Sequence, residues 1–118
     1  MTKVLVVDDA AFVRAKSGQL LAGNGYVVDE AVNGLEAVSK YQQSKPDVVL
    51  MDITMPIMDG ITAVREIRRR DPAARIIMCT ALGQQAMVIE ALKAGARDYI
   101  VKPYPPDRLL QAIRKLLG

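Results

Sequence analysis

Three aspartates, a threonine and a lysine stand just past the ends of short apolar runs, and together they could handle a phosphoryl group. Val4-Leu5-Val6-Val7 leads into Asp8-Asp9, and Val48-Val49-Leu50-Met51 leads into Asp52. Ile76-Ile77-Met78-Cys79 leads into Thr80, and Tyr99-Ile100-Val101 into Lys102-Pro103. Asp52 is the nucleophile candidate, because a carboxylate can attack phosphorus to give an aspartyl-phosphate. Two negative charges about 4 Å apart repel by roughly 4 kcal/mol at an effective dielectric near 20. Three gathered carboxylates therefore need a divalent cation, or one must stay protonated. Mg²⁺ suits them, since it accepts a few carboxylates, keeps waters and bridges to phosphate oxygens. Lys102 offers a compact positive charge for phosphoryl oxygens, and Thr80 offers a hydroxyl. Each has a plainer reading. Asp8 or Asp9 could cap the first helix, though capping explains one of the pair rather than both. Asp52 could be a turn residue ahead of Met55-Pro56, Thr80 a strand or helix-start residue, and Lys102 a lysine reaching solvent. The convergence of all five favours the chemical reading.

The elements that must position them alternate. Strand-like runs fall at about 3–8, 26–31, 48–52, 76–80 and 99–102, separated by segments with helical spacing. Continuous apolar strands are the mark of a sheet covered on both faces. Leu109, Leu110, Ile113, Leu116 and Leu117 form one apolar helical stripe, and Ile61, Val64 and Ile67 another. Asn33 is placed to cap the second helix, with Glu36 reaching back as in a capping box. Asp59 is placed to cap the third helix, and Asp71-Pro72 to close it. Gly23 and Gly25 flank the end of the first helix, and Gly95 follows the fourth. Repeated βα units imply parallel strands and right-handed crossovers. The expected fold is α/β: a doubly wound five-stranded parallel sheet with five helices in the known flavodoxin-like order 2-1-3-4-5. Ligands in such sheets bind beyond the strand carboxyl ends, at the switch point between strands one and three.

Composition narrows the chemistry. The chain has 118 residues, 51% hydrophobic and 25% charged, which suits one globular domain spanning 1–118. It has no histidine and one cysteine, Cys79. That excludes Ser-His-Asp and Cys-His hydrolases, an internal phosphohistidine and the usual zinc sites. Cys79 reads as a small buried hydrophobe. No signal peptide and no membrane-length apolar run is present, so a cytoplasmic protein without a membrane partner is expected. The net charge of +3 and pI of about 9.2 invite a nucleic-acid reading. Basic residues cluster at Arg65, Arg68, Arg69 and Arg70, yet aromatics are scarce and no nucleic-acid signature appears. A solvated helix face accounts for them better, and direct nucleic-acid binding is not expected.

Asp8-Asp9, the stretch from Asp52 to Gly60, Thr80-Ala81 and Lys102-Pro103 together resemble a two-component response-regulator receiver domain over the whole chain. The segment from Gly83 to Ile89 is similar to CheY-like chemotaxis regulators of the Gram-positive type. The resemblance implies that Asp52 accepts a phosphoryl group from a phosphohistidine on a sensor histidine kinase or phosphotransfer protein. It implies Mg²⁺ on Asp9, Asp52 and the main-chain carbonyl of Thr54, with Asp8 acting through one of its waters. Lys102 and Thr80 would contact phosphoryl oxygens. In the switch it implies, Thr80 moves inward, Tyr99 follows, and a face of helix four, strand five and helix five binds a downstream target such as a flagellar motor switch protein. Tyr99 could also be an ordinary strand aromatic. The family's members are phosphoacceptors, not turnover enzymes, and a monomer is expected. The Tyr104-Pro105-Pro106 run departs from the family picture at the start of the last helix.

Three rivals frame these expectations. An aspartyl-nucleophile phosphohydrolase is suggested faintly by Asp52-x-Thr54, but that fold carries its nucleophile after the first strand. A phosphorylation-independent interaction module would usually have lost an acceptor or an acid. A receiver excised from a longer transcriptional regulator is the third, against which the chain leaves no room for an output domain.

Overall fold

The computed structural model describes Met1–Gly118. Its elements alternate strictly: β1 Lys3–Val7, α1 Ala11–Gly23, β2 Val27–Ala31, α2 Gly34–Ser44 and β3 Val48–Asp52 come first. They are followed by α3 Gly60–Arg70, β4 Ile76–Thr80, α4 Gln85–Ala94, β5 Asp98–Val101 and α5 Pro106–Leu117. All strand pairs are parallel, and the order is β2-β1-β3-β4-β5. The expected α/β fold is therefore the observed one.

The pleat divides the core in two. Leu5, Val7, Val49, Met51, Ile76 and Met78 point to a face covered by α2, α3 and α4. Val4, Val6, Val48, Leu50, Ile77 and Cys79 point to the face covered by α1 and α5. Side chains on successive residues alternate sides, so strands with apolar residues at every position need helices on both. The stripes behave accordingly: Ile61, Val64 and Ile67 of α3 are buried, as are Leu109, Leu110 and Ile113 of α5. Cys79 is free and buried, and burial pushes its thiol well above the usual range.

Helix ends follow local chemistry. The Asn33 side chain accepts from the Glu36 N–H at 2.8 Å, and the Asp59 side chain from the Thr62 N–H at 2.8 Å. Glu36 does reach back, but to the N–H of Val32 rather than of its cap. Asp71 ends α3 in an extended conformation, ahead of proline. The Tyr104-Pro105-Pro106 run fits without strain: Pro105 occupies the cap and Pro106 the first helical position. Proline is well tolerated there, because that N–H has no helical partner anyway.

The plainer reading of the first acidic pair does not hold. Neither Asp8 nor Asp9 caps α1. The cap is Ala10, which makes no side-chain bond, and the Asp8 carboxylate turns back onto the Ala10 N–H at 2.9 Å. The strand limits also shift by one residue, leaving Asp8 and Lys102 just outside β1 and β5.

Candidate functional site

Sheet register brings the chemistry together. Val7 lies beside Met51, so Asp8 follows at the level of Asp52. Asp52 pairs with Cys79, and Thr80 with Val101, the residue before Lys102. The Lys102 N–H donates to the Thr80 carbonyl at 2.7 Å, which ties the last two strand ends together. Residues far apart in sequence thus meet along one edge because each closes its own strand.

The side chains converge there. Carboxylate oxygens of Asp8, Asp9 and Asp52 all lie within 4.8 Å of one another. Asp8 is 3% exposed, Asp52 half-buried and Asp9 exposed. The Lys102 ammonium donates to Asp8 Oδ2 at 2.6 Å and stands 3.3 Å from Asp52 Oδ2. The bond from Lys102 to Pro103 is cis. Burial raises the Asp52 carboxyl above its ordinary range, Lys102 pulls it down, and the charge of Asp8 adds to the rise. Burial alone would lower the Lys102 ammonium, but its bond to Asp8 and the charges of Asp52 and Asp8 outweigh this and raise it. One cation thus stands against two of the three clustered carboxylates. All three offer hard oxygen donors around one small volume, which is the donor chemistry Mg²⁺ takes.

Thr80 is 2% exposed, and its hydroxyl makes no hydrogen bond to Asp52. It is shared between the Ala81 carbonyl and Gln84 Oε1, each at 3.1 Å. Thr54 lies two residues beyond Asp52 in an exposed loop, where its hydroxyl accepts from Gln84 Nε2 at 3.1 Å. Tyr99 stands on β5 beside Met78 with its side chain 41% exposed. A cavity of about 130 Å³ is lined by Thr80, Gln84, Val88 of α4, Tyr99 and Val101.

The loop after Asp52 is set by backbone contact. The Gly60 N–H donates to the Ile53 carbonyl at 2.8 Å. A Cβ on Gly60 would overlap the Asp52 carbonyl, so glycine alone permits this approach of α3 to the acidic strand end.

Some supports left no trace in the sequence pattern. Arg14 Nη1 donates to the Asp8 carbonyl at 2.7 Å while its Nε pairs with Glu30 at 3.1 Å. Ser17 and Tyr104 share a hydrogen bond of 2.7 Å that straps the loop after Lys102 to α1. Gln84 bridges two loops. Gln84 lies in the Gly83–Ile89 segment and Tyr104 in the proline run, but neither pattern says what these side chains touch, and only the fold shows it.

Residues 4–114 match the family described as the response regulator receiver domain. The chain belongs to that family. It is 59% identical over 117 residues to the chemotaxis protein CheY of Bacillus subtilis (strain 168), covering 98% of both chains. It is 57% identical over 115 residues to the CheY of Thermotoga maritima, covering 97% of this chain and 96% of the other. Among solved structures, a chain of the Borrelia burgdorferi CheX-CheY-BeF3-Mg²⁺ complex is similar, with a TM-score of 0.93 and 39% identity. That match covers 99% of this receiver and 90% of the Borrelia chain. This receiver is a signalling domain by family, and the Asp8, Asp9 and Asp52 cluster is one that could hold a metal. No helix is long and apolar enough to cross a membrane.

Proposed function

We propose that this chain is a single-domain phosphoacceptor of a two-component system, working in the cytoplasm in chemotaxis, with Asp52 as the acceptor. The observation that carries the reading is the meeting of Asp52, two further carboxylates and the Lys102 ammonium at one strand edge. Neither Asp8 nor Asp9 is needed to cap α1, so helix formation gives no reason for them.

An Asp52 carboxylate oxygen attacks phosphorus of a phosphohistidine on a kinase or phosphotransfer partner. The P–O bond forms as the P–N bond breaks, and the leaving imidazole takes up a proton from solvent. The chain brings no histidine of its own, so the donor supplies it. Mg²⁺ on Asp9, Asp52 and the Thr54 carbonyl would neutralise phosphoryl charge. Asp8, whose oxygens accept from the Ala10 N–H and the Lys102 ammonium, would act through a metal-bound water, as the family resemblance implies. Lys102, already between Asp8 and Asp52, needs little movement to meet a phosphoryl oxygen. The Borrelia relative, solved with Mg²⁺ and the phosphoryl mimic BeF3, supports the same ligand pair here.

Phosphorylation adds about −1.5 to −2 of charge and strong acceptor oxygens. The Thr80 hydroxyl turns inward to one of them. The cavity beside it gives the exposed Tyr99 ring a place to enter, which changes the α4, β5 and α5 surface seen by a target such as a flagellar motor switch protein. The phosphoryl is held until water attacks it and releases inorganic phosphate, restoring the Asp52 carboxylate, and the chain acts as a monomeric switch rather than a turnover enzyme.

Incubation with acetyl phosphate and Mg²⁺, followed by intact mass, tests this reading. Wild type gains one phosphoryl group and Asp52→Asn gains none. Equal labelling of both removes Asp52 from the acceptor role.

A further inference from the structure

The Thr80 hydroxyl is a buried donor with one proton and two acceptors at equal distance, the Ala81 carbonyl and Gln84 Oε1. Gln84 stands at the cap position of α4 but does not cap it. Both ends of its side-chain amide bond elsewhere instead. Oε1 accepts from the Ala81 N–H at 2.7 Å and from the Thr80 hydroxyl at 3.1 Å, and Nε2 donates to the Thr54 hydroxyl at 3.1 Å. The Ala81 N–H can only donate, so it fixes which amide atom faces Thr80. One side chain therefore spans from the loop after Asp52 to the loop after Thr80, and it holds the hydroxyl that must turn.

We infer that Gln84 is a positioning residue that keeps the Thr80 hydroxyl out of the acidic crevice until a phosphoryl group competes for it. The inference rests on the proposed role of Asp52 and deepens it, naming what opposes the switch. A Thr80 hydroxyl that turns inward abandons Gln84 Oε1, which keeps the Ala81 N–H alone. The competent conformer is then a minority in the free chain, and apparent affinity for a phosphoryl group at Asp52 is reduced by that fraction. Removing the hold enlarges the fraction. A neutral hydrogen bond of ordinary net strength corresponds to a change of about two- to tenfold. Thr54 is the anchor at the far end, so the state of the loop beside Asp52 is transmitted to Thr80 through one amide.

The test titrates beryllofluoride, with Mg²⁺ present, into wild type, Gln84→Ala, Thr80→Ala and the double variant. Binding is followed by the amide resonances of residues 80–84 and 99. Gln84→Ala is expected to bind about two- to tenfold tighter than wild type. Without ligand, its resonances should already lie part-way towards the bound positions. In the Thr80→Ala chain, which has no hydroxyl to hold, the Gln84 substitution should change affinity little. The same gain in both backgrounds would mean that Gln84 only stiffens the loop, and no gain in either would overturn the inference outright. A wild-type chain that fails to bind beryllofluoride would instead overturn the reading of Asp52, and this inference with it.

Discussion

The two ends of the sheet carry opposite charge, and only one end is explained by folding. At the amino edge of the strands the helices finish, and the last turns of α3, α4 and α5 are basic. Arg68, Arg69 and Arg70 close α3, Lys93 closes α4, and Arg114 and Lys115 close α5. Cations there oppose the partial negative charge of the helix carboxyl ends, by about 0.3–1 kcal/mol each. They also find partners: Arg69 and Arg70 pair with Glu66, which Arg69 holds below the usual carboxylate range, and Arg68 donates to the Ala74 carbonyl. This goes some way to explaining the net charge of +3 and the arginine cluster without any ligand. At the carboxyl edge, three carboxylates crowd together with one ammonium between two of them. Nothing in helix or sheet formation asks for that arrangement. A charge pattern that local structure accounts for is weak evidence of function; one that works against the fold is strong evidence.

The sharpest way to break this contrast is at Gly60. Its replacement by alanine puts a methyl into the Asp52 carbonyl, where only backbone could yield. We expect a loss of about 3 kcal/mol or more, in the range of severe backbone and packing defects. Urea unfolding measures it, and a loss under about 1 kcal/mol would show that the strand end has slack.

Next in size is Lys102→Ala, which strands Asp8, only 3% exposed, beside Asp52. Removing one partner of a largely buried pair costs about 3–5 kcal/mol. Partial exposure of the lysine brings the expected loss nearer 1–3 kcal/mol, with the fold retained. Millimolar Mg²⁺ should recover part of it, because a divalent cation can replace the missing charge. Equal loss with and without Mg²⁺ would argue against a cation in the crevice.

The smallest effect belongs to the other end, where the Tyr41 hydroxyl donates to Asp71 at 2.6 Å. Burial, then the bond to Asp71, raises Tyr41 above its ordinary 10.0. A group raised on folding adds stability below its unfolded value, and loses it as pH climbs through the folded value. The same bond holds the Asp71 carboxyl below its ordinary range, so that contribution disappears as pH falls through the folded value. Tyr41→Phe should therefore cost about 0.5–1 kcal/mol at neutral pH and flatten the alkaline side of the stability profile. An unchanged profile between the two chains would remove this bond from the account.

Much of this was legible before any coordinates. Apolar runs ending in Asp8, Asp52, Thr80 and Lys102 announced the shared edge, because strands that are buried on both faces write an unbroken apolar signature. Asn33 and Asp59 announced their helices for a similar reason, since a cap acts only three residues away. The start of α1 was less plain: Asp8 and Asp9 are acceptable cap residues by type, but the crevice holds Asp8 and the helix starts later, as the chemical reading of the pair requires. The contacts of Gln84, the contacts of Arg14 and the Ser17–Tyr104 bond were invisible, although Gln84 itself lies in a segment that stands out. Their partners lie up to 87 positions away, and a polar side chain in a loop says nothing of what the fold will bring beside it.

The account finally depends on which atom carries the phosphoryl group. Treatment with acetyl phosphate and Mg²⁺, reduction with borohydride and sequencing of the resulting peptides would locate it, since an aspartyl-phosphate is reduced to homoserine. Homoserine at position 52, with Asp8 and Asp9 unaltered, is the predicted result. Homoserine at either neighbouring aspartate, or a stable phosphate on a hydroxyl such as that of Thr80, would contradict it.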